Sequence, residues 1–325
     1  LPRMREVFAD HWSASSGGRV ARDQVAITSG CNQAFTAAVA VLAEPGDNVI
    51  ITTPWYFNHK MWLDMSGVEA RALPIAEDMQ PDTARATRLI DARTRALVLI
   101  TPNNPTGSEY DPERIMQFYH LARERGIALI IDETYRDFRI SENAPHAILA
   151  DPDWDRTLIG LYSFSKSYRL TGHRVGALIA AKAILDEVEK YLDTVTICPN
   201  QIAQHAALFG LENLGIWLAG ERQEILRRKR TFEAELTGCP GWHLLGCGAY
   251  FAYVGYEGEM RSDAMARHLL RTRNVLALPD TMFLPERGDD GGAYDRRSLR
   301  FAYANIVCAD IVEFSRRLGT VDPHG

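Results

Sequence analysis

Residues 163–176 decide how this chain is interpreted, and they read Ser-Phe-Ser-Lys-Ser-Tyr-Arg-Leu-Thr-Gly-His-Arg-Val-Gly. They follow an apolar, strand-like run at 157–162, and they place Lys166 eight residues before Arg174. At the rim of a sheet, a lysine amine can form a Schiff base and a guanidinium can hold a phosphate. Two solvated side chains in a serine-rich turn would give the same pattern, so the rest of the chain has to separate these alternatives.

Two more apolar runs end in polar residues. The run at 96–100 leads into Thr-Pro-Asn-Asn-Pro-Thr-Gly, and the run at 127–131 leads into Asp-Glu-Thr-Tyr. Unalternated apolar runs separated by a helical segment are typical of parallel strands that are buried on both faces. Because ligands bind at the carboxyl ends of such strands, we expect one site that contains Asn104, Asp132, Tyr135 and Lys166.

In their order and spacing, four short motifs resemble those of the class I and II aminotransferases. They are Asn-Pro-Thr-Gly at 104–107, Asp-Glu-Thr-Tyr at 132–135, Ser-Phe-Ser-Lys at 163–166 and Ser-Leu-Arg-Phe-Ala at 298–302. The resemblance extends from Leu1 to about residue 318. It implies a pyridoxal-phosphate enzyme of fold type I. Such an α/β enzyme has a large domain with a mostly parallel, seven-stranded-type sheet covered by helices, and a smaller α+β C-terminal domain.

Length and composition agree with a two-domain enzyme. At 325 residues the chain exceeds the usual size of a single core, and we place the large cofactor-binding domain at 1–225 and the small domain at 226–325. The net charge of -6 argues against a nucleic-acid surface, and no apolar run is long enough to span a membrane. Five cysteines without a CxxC pair argue against a disulfide framework and a metal site, which favours a reducing, cytoplasmic location.

The resemblance also concerns the subunit arrangement. Family members have active sites at a subunit interface, so the resemblance implies a homodimer, with a partner-facing loop at 199–201. They carry several dozen residues before the position of Leu1, including an arm with a tyrosine for the partner's phosphate site. We therefore expect the numbered chain to lack this N-terminal arm.

The resemblance assigns roles to four residues around the cofactor ring. Lys166 would hold the cofactor as a Schiff base and then move a proton at the substrate Cα. Asp132 would pair with the pyridine nitrogen and keep the ring a good electron sink. Tyr135 and Asn104 would both bind the phenolic oxygen of the ring. The residues alone also allow Asp132 as a helix N-cap and Asn104 as a turn asparagine.

A phosphate site is predicted at the start of a helix. The turn that contains Gly30, Cys31 and Asn32 follows a strand-like run and opens a helix, so its backbone N–H groups and the helix dipole can meet an anion. Cys31 departs from the family pattern, in which alanine, glycine or threonine is more usual, so a main-chain contact is expected from it. The remaining predicted donors are side chains, namely Ser163, Ser165 and Arg174.

Two further side chains complete the predicted site. Tyr56 matches the aromatic residue that stacks on the cofactor ring in the family, and sequence alone leaves Trp55 as the alternative. Arg300 lies in an apolar, strand-like run, where a buried arginine needs an anionic partner. In the family this arginine binds the substrate α-carboxylate, and the resemblance implies that Asn104 contacts the substrate too. An exposed strand arginine is the alternative interpretation of Arg300.

The expected reaction is transfer of an amino group from an α-amino acid to a 2-oxo acid. The same residues would also serve a C–S lyase, a decarboxylase or a cyclopropane-carboxylate synthase, since the electron sink is common to all of them. A third alternative is the aminotransferase-like effector domain of a transcription regulator.

The substrate preference is predicted from a missing charge. Dicarboxylate-specific members place a partner-subunit arginine just before the segment that matches 198–200, but residues 191–200 contain no arginine. Because a second carboxylate would be desolvated without a partner, we expect a neutral or aromatic donor that packs against residues 55–57. A cation from elsewhere, such as Lys60, is the alternative.

Overall fold

The residues that the structure describes form two β-sheets, and the larger one has seven strands. The computed structural model describes residues 1–287 and 297–321. In chain order the strands are β1 (Val25–Thr28), β2 (Asn48–Thr53), β3 (Glu69–Pro74), β4 (Thr94–Ile100), β5 (Ala128–Asp132), β6 (Leu158–Ser163) and β7 (Gly176–Ile179). Their spatial order is β1-β7-β6-β5-β4-β2-β3. Among the seven described strands, β7 alone runs opposite to the others, so the prediction of a mostly parallel sheet is confirmed.

Helices cover both faces of this sheet, since its central strands are buried on both sides. They are α1 (Pro2–Ser16), α2 (Cys31–Leu42), α3 (Phe57–Ser66), α4 (Thr83–Leu89), α5 (Pro112–Arg125), α6 (Phe164–Ser167), α7 (Lys182–Val195) and α8 (Gln201–Asn213). One apolar core joins α1, α5 and α8 to the sheet. The other core joins α2, α3 and α7 to the opposite face.

The smaller sheet is antiparallel and follows in the C-terminal part of the chain. Its strands are β8 (Trp242–Gly248), β9 (Phe251–Tyr256), β10 (Leu278–Pro279) and β11 (Ser298–Ala302), in the order β10-β11-β9-β8. It shares an apolar core with α9 (Gly215–Leu236), α10 (Ser262–Arg273) and α11 (Cys308–Leu318). Helix α9 crosses the predicted boundary at 225–226, so the division into two domains stays a prediction. Within the described residues, no helix is both long and apolar enough to cross a membrane.

The two sheets meet where two glycines pack backbone against backbone. Gly107 follows β4 with a φ of 74°, and Gly248 ends β8. A Cβ atom on Gly107 would lie 2.4 Å from the amide nitrogen of Gly248, and one on Gly248 would lie 2.1 Å from the carbonyl oxygen of Gly107. Neither position therefore accepts a side chain unless the backbone moves.

Candidate active site

The predicted site residues converge on one cavity of about 480 Å³ between the two sheets. It lies beyond the carboxyl ends of β4, β5 and β6, where an open α/β sheet binds its ligands. The predicted residues in its lining are Cys31, Asn32, Tyr56, Asn104, Asp132, Tyr135, Ser163, Ser165, Lys166, Arg174 and Arg300. Gly30, the remaining predicted residue, lies behind this lining next to the guanidinium of Arg174.

Lys166 is placed in the cavity by a single helical turn. Helix α6 begins directly after β6, and the Ser163 hydroxyl caps it by accepting a hydrogen bond from the backbone N–H of Ser165 at 3.2 Å. Burial, followed by the positive charges of Arg300 and Arg174, lowers the pKa of Lys166. Among the described residues, no carboxylate forms an ion pair with its Nζ atom to oppose this effect. The surroundings therefore favour a neutral, nucleophilic amine.

Asp132 is buried at the end of β5 and has two polar neighbours. Its Oδ1 atom accepts a hydrogen bond from the backbone N–H of Thr134 at 2.9 Å, and its Oδ2 atom lies 3.5 Å from Nε2 of His59. Burial acts to raise the pKa of Asp132, but the contacts with His59 and Thr134 outweigh it and hold the pKa below its ordinary value. Asp132 is therefore ionised at neutral pH and suited to a cationic ligand nitrogen.

Arg300 is a partly buried guanidinium without an acidic partner among residues 1–287 and 297–321. Its Nη1 atom donates a hydrogen bond to Oδ1 of Asn104 at 2.8 Å, and its guanidinium carbon lies 4.6 and 5.2 Å from the ring centroids of Phe251 and Phe283. Burial lowers the pKa of Arg300, and its buried Nε atom has no hydrogen-bond partner among the described residues. This environment differs from that of an exposed strand arginine, and it suits a ligand carboxylate.

The start of α2 has the geometry that a phosphate site requires. Gly30 precedes the helix with a φ of 91°, and no side chain that the structure describes caps the backbone N–H groups of the first turn. A Cβ atom on Gly30 would lie 2.2 Å from Nη2 of Arg174, so only glycine lets the turn and the guanidinium come together. Arg174 also donates to the Ser165 hydroxyl at 3.3 Å. Burial raises the pKa of the Cys31 thiol well above its usual value, which leaves its main chain as the polar contact.

Tyr56, rather than Trp55, borders the cavity. Trp55 is buried in the core under α2 and α3, whereas Tyr56 lies in the cavity lining. The Tyr56 hydroxyl accepts a hydrogen bond from Nδ2 of Asn58 at 2.7 Å and donates to Oδ1 of Asn32 at 3.4 Å. Burial raises the pKa of Tyr56 to about 12, so this phenol stays neutral. Stacking of Tyr56 on a cofactor ring remains a prediction.

The structure adds His59 and Tyr250 to the residues that sequence reasoning found. The ring of His59 stacks on Phe35 at 3.7 Å between centroids, which orients its imidazole toward Asp132. The Tyr250 hydroxyl donates to the carbonyl oxygen of Lys166 at 3.3 Å. His59 lies three residues after Tyr56, the residue that precedes α3. This helical spacing could have predicted from the sequence that His59 lies near the site. Tyr250 precedes a strand of the other sheet, and no local pattern indicates its proximity to Lys166.

Tyr135 is buried between the two sheets. Its ring contacts those of Tyr250 and Phe251, both at 5.4 Å between centroids. Burial raises the pKa of Tyr135 well above its ordinary value, so its hydroxyl keeps its proton. Tyr135 is therefore available as a hydrogen-bond donor at the cavity wall.

Comparisons with known proteins show the family to which the chain belongs. The family described as aminotransferase class I and II matches residues 1–318. The aspartate aminotransferase of Sulfurisphaera tokodaii is 26% identical over 308 residues, which cover 89% of this chain and 74% of that protein. The aspartate/prephenate aminotransferase of Thermus thermophilus is 28% identical over 289 residues, which cover 87% of this chain and 74% of that protein.

A solved structure extends the agreement to the fold. The aspartate aminotransferase of Thermotoga maritima is 25% identical and has a TM-score of 0.88, with 98% of this chain and 81% of that chain covered. This match confirms the predicted fold type I. The chain therefore belongs to the class I and II aminotransferase family, as its four motifs predicted.

Proposed function

We propose that the protein transfers an amino group from a neutral or aromatic α-amino acid to a 2-oxo acid, with pyridoxal 5'-phosphate as cofactor. When bound, pyridoxal phosphate supplies a sink for the electrons left at the substrate Cα. The observation that carries the proposal is the presence of two groups in one cavity, namely the amine of Lys166 and the guanidinium of Arg300, which has no acidic partner in the described part of the chain. The guanidinium suits a substrate carboxylate, and the amine, with its lowered pKa, suits covalent catalysis.

The polar groups of the cofactor correspond to residues around the cavity. The uncapped start of α2, together with Ser163, Ser165 and Arg174, would hold the phosphate. Asp132, which is ionised, would keep the pyridine nitrogen protonated. Tyr135 would donate a hydrogen bond to the phenolic oxygen of the ring.

The remaining side chains of the proposed site act on the substrate and on one face of the ring. Tyr56 would cover that face of the ring. Arg300 holds the α-carboxylate. Oδ1 of Asn104 accepts a hydrogen bond from the guanidinium and so orients it. The amide nitrogen of Asn104 remains available to a ligand oxygen. Lys166 Nζ, as a neutral amine, accepts the proton from the substrate Cα. It returns a proton when the 2-oxo acid reverses the sequence.

The lining of the cavity supports a donor without a second charge. Each of its three described cations already has a role in this proposal, namely Lys166, Arg174 and Arg300. A second substrate carboxylate would lack a partner among the described residues, and an unpaired buried charge costs about 3–5 kcal/mol. Phe57 and Phe251 in the same lining offer apolar contact instead. Since the Sulfurisphaera and Thermotoga relatives are named aspartate aminotransferases, a comparison of donors is the decisive measurement.

Steady-state kinetics with aspartate, phenylalanine and methionine as donors tests the proposal. We expect a higher kcat/KM for phenylalanine or methionine than for aspartate, with 2-oxoglutarate as acceptor. Arg300→Leu should abolish transfer from all three donors, whereas the surface control Arg93→Leu should not. A higher kcat/KM for aspartate would show that the predicted preference is wrong. Pyruvate, ammonia and a thiol released from an S-alkylcysteine without an acceptor would indicate a C–S lyase instead.

The proposal includes a homodimer. Ile197 and Ile202 flank the predicted partner-facing loop at 199–201, and both side chains are 76% exposed. Large apolar side chains that are this exposed on both sides of a loop are typical of an interface, and we expect a second copy of the chain to bury them. Sedimentation of the full-length protein at micromolar concentration should give a dimer, and a monomer alone would contradict this part of the proposal.

A further inference from the structure

A carboxylate behind Lys166 has no role in the mechanism above. Asp137 lies in the 3₁₀ turn Arg136–Phe138, and its Oδ2 atom is 2.6 Å from the Ser167 hydroxyl oxygen and 2.5 Å from the Tyr162 hydroxyl oxygen. The two hydroxyl oxygens are 2.7 Å apart. The hydroxyl groups of Tyr162 and Ser167 together have two hydrogens for these three contacts. If one hydroxyl donates to the other, the second hydroxyl donates to Asp137, so the carboxylate accepts at least one hydrogen bond in every arrangement.

This cluster of three oxygens joins two segments that the proposed function requires. Ser167 follows Lys166 in α6 and is fully buried. Asp137 lies two residues after Tyr135 and five after Asp132. We infer, on the basis of the proposed function, that Asp137 is a positioning residue that fixes the Lys166 turn relative to Tyr135 and Asp132.

The small size of α6 explains why such a contact is needed. A helix of four residues does not hold its own shape, so the Lys166 turn depends on tertiary contacts. A displacement of about 1 Å at a reacting group costs roughly 10²-fold in rate. Burial, together with the charge of Asp137, raises the pKa of Tyr162 well above its ordinary value, so this phenol remains a donor in the cluster.

The cluster can be tested with three variants and a matched control. Asp137→Ala removes the acceptor, Asp137→Asn keeps one acceptor oxygen without the charge, and Ser167→Ala removes one donor. The control is Asp151→Asn, since Asp151 also accepts a hydrogen bond from a tyrosine, Tyr119, at 2.9 Å but lies outside the cavity lining. The measurements are the rate of the amino-acid half-reaction in the loaded enzyme, KM for the donor, and Tm without cofactor. A fourth measurement is the rate at which added pyridoxal phosphate forms a borohydride-reducible adduct on Lys166.

We expect Asp137→Ala to lower both rates about ten- to a hundredfold while KM stays within about twofold of the wild-type value. Asp137→Asn should restore part of the loss, and Ser167→Ala should add nothing in the Asp137→Ala background, because both act through one contact. Rates in Asp137→Ala equal to those of Asp151→Asn would overturn the inference, even if Tm falls. Absence of amino transfer in the wild-type protein would refute the proposed function but not the inference on Asp137. The rate of adduct formation on Lys166 would still report the position of the turn.

Discussion

Oδ2 of Asp132 lies 3.5 Å from Nε2 of His59, and both side chains are almost completely buried, at 5% and 2% exposure. Asp132 thus has a second polar neighbour besides the backbone N–H of Thr134. The imidazole is in turn held by its stacking on Phe35. A side chain from helix α3 therefore helps to keep Asp132, at the end of β5, ionised.

Replacement of His59 by phenylalanine should keep the stacking on Phe35 and remove the polar contact with Asp132. Without that contact, burial should raise the pKa of Asp132. A carboxylate whose pKa is lowered on folding stabilises the protein at neutral pH and loses this contribution as the pH falls through its folded pKa. The free energy of unfolding of the variant should therefore be about 1–3 kcal/mol lower than that of the wild type at pH 7. This difference in unfolding free energy should become smaller in acid. Parallel curves of unfolding free energy against pH would contradict this.

Asp132→Asn should bind pyridoxal phosphate but lose most of its transfer rate. The pyridine nitrogen would lack its anionic partner, and loss of a buried charge pair costs about 3–5 kcal/mol. If this cost falls on the transition state, kcat should drop by roughly two to four orders of magnitude. Stopped-flow measurement of the half-reaction checks the expectation, and near-normal turnover would exclude the assigned role of Asp132.

Gly30→Ala should weaken cofactor binding through Arg174. The new methyl group would meet Nη2 of Arg174 at 2.2 Å and displace the guanidinium from the anion site. A matched control is Gly17→Ala, because Gly17 also has a positive φ, 68°, but nothing lies within 4 Å of its Cβ position. Each variant carries a backbone cost of about 1–2 kcal/mol, whereas only Gly30→Ala should raise the Kd for pyridoxal phosphate at least tenfold. Equal Kd values in the two variants would exclude the phosphate role of this turn.

Lys166 should carry the cofactor covalently. After loading with pyridoxal phosphate and reduction with borohydride, peptide mapping should find the pyridoxyl mass on Lys166, whose lowered pKa favours reaction. Lys60 is a suitable internal control, since it lies at hydrogen-bond distance from Asp64. Label on another lysine, or on none, would refute the assignment.

The large sheet was predictable because its central strands are continuous apolar runs. The polar residues that follow β4, β5 and β6 could be assigned to one site, since parallel strands place their carboxyl ends at one edge. The sequence has a long helical periodicity at 203–236 that is interrupted near Gly215 and Gly220, and the structure divides this stretch at Leu214 into α8 and α9. Helix α7 was missed although its buried residues Leu185, Val188 and Leu192 recur at helical spacing.

Contacts between distant segments could not be predicted from the sequence. Arg300 and Asn104 are separated by 196 positions, and their hydrogen bond depends on how the second sheet docks against the first. Periodicity indicates which face of a strand is buried but does not identify its partner. The same limit applies to Tyr250, whose contact with Lys166 joins the two sheets.

The contact between Gly107 and Gly248 makes the proposed substrate site sensitive to changes outside it. A methyl group at either glycine would force the sheets apart, and Arg300 belongs to one sheet while Lys166 follows a strand of the other. A change from glycine to alanine at either position appears conservative in a sequence comparison. It would nevertheless lengthen the distance between Arg300 and Lys166, which a substrate has to span in the proposed function. For laboratory evolution of new donors, these two glycines are positions to leave untouched, whereas the aromatic lining of the cavity is the region to randomise.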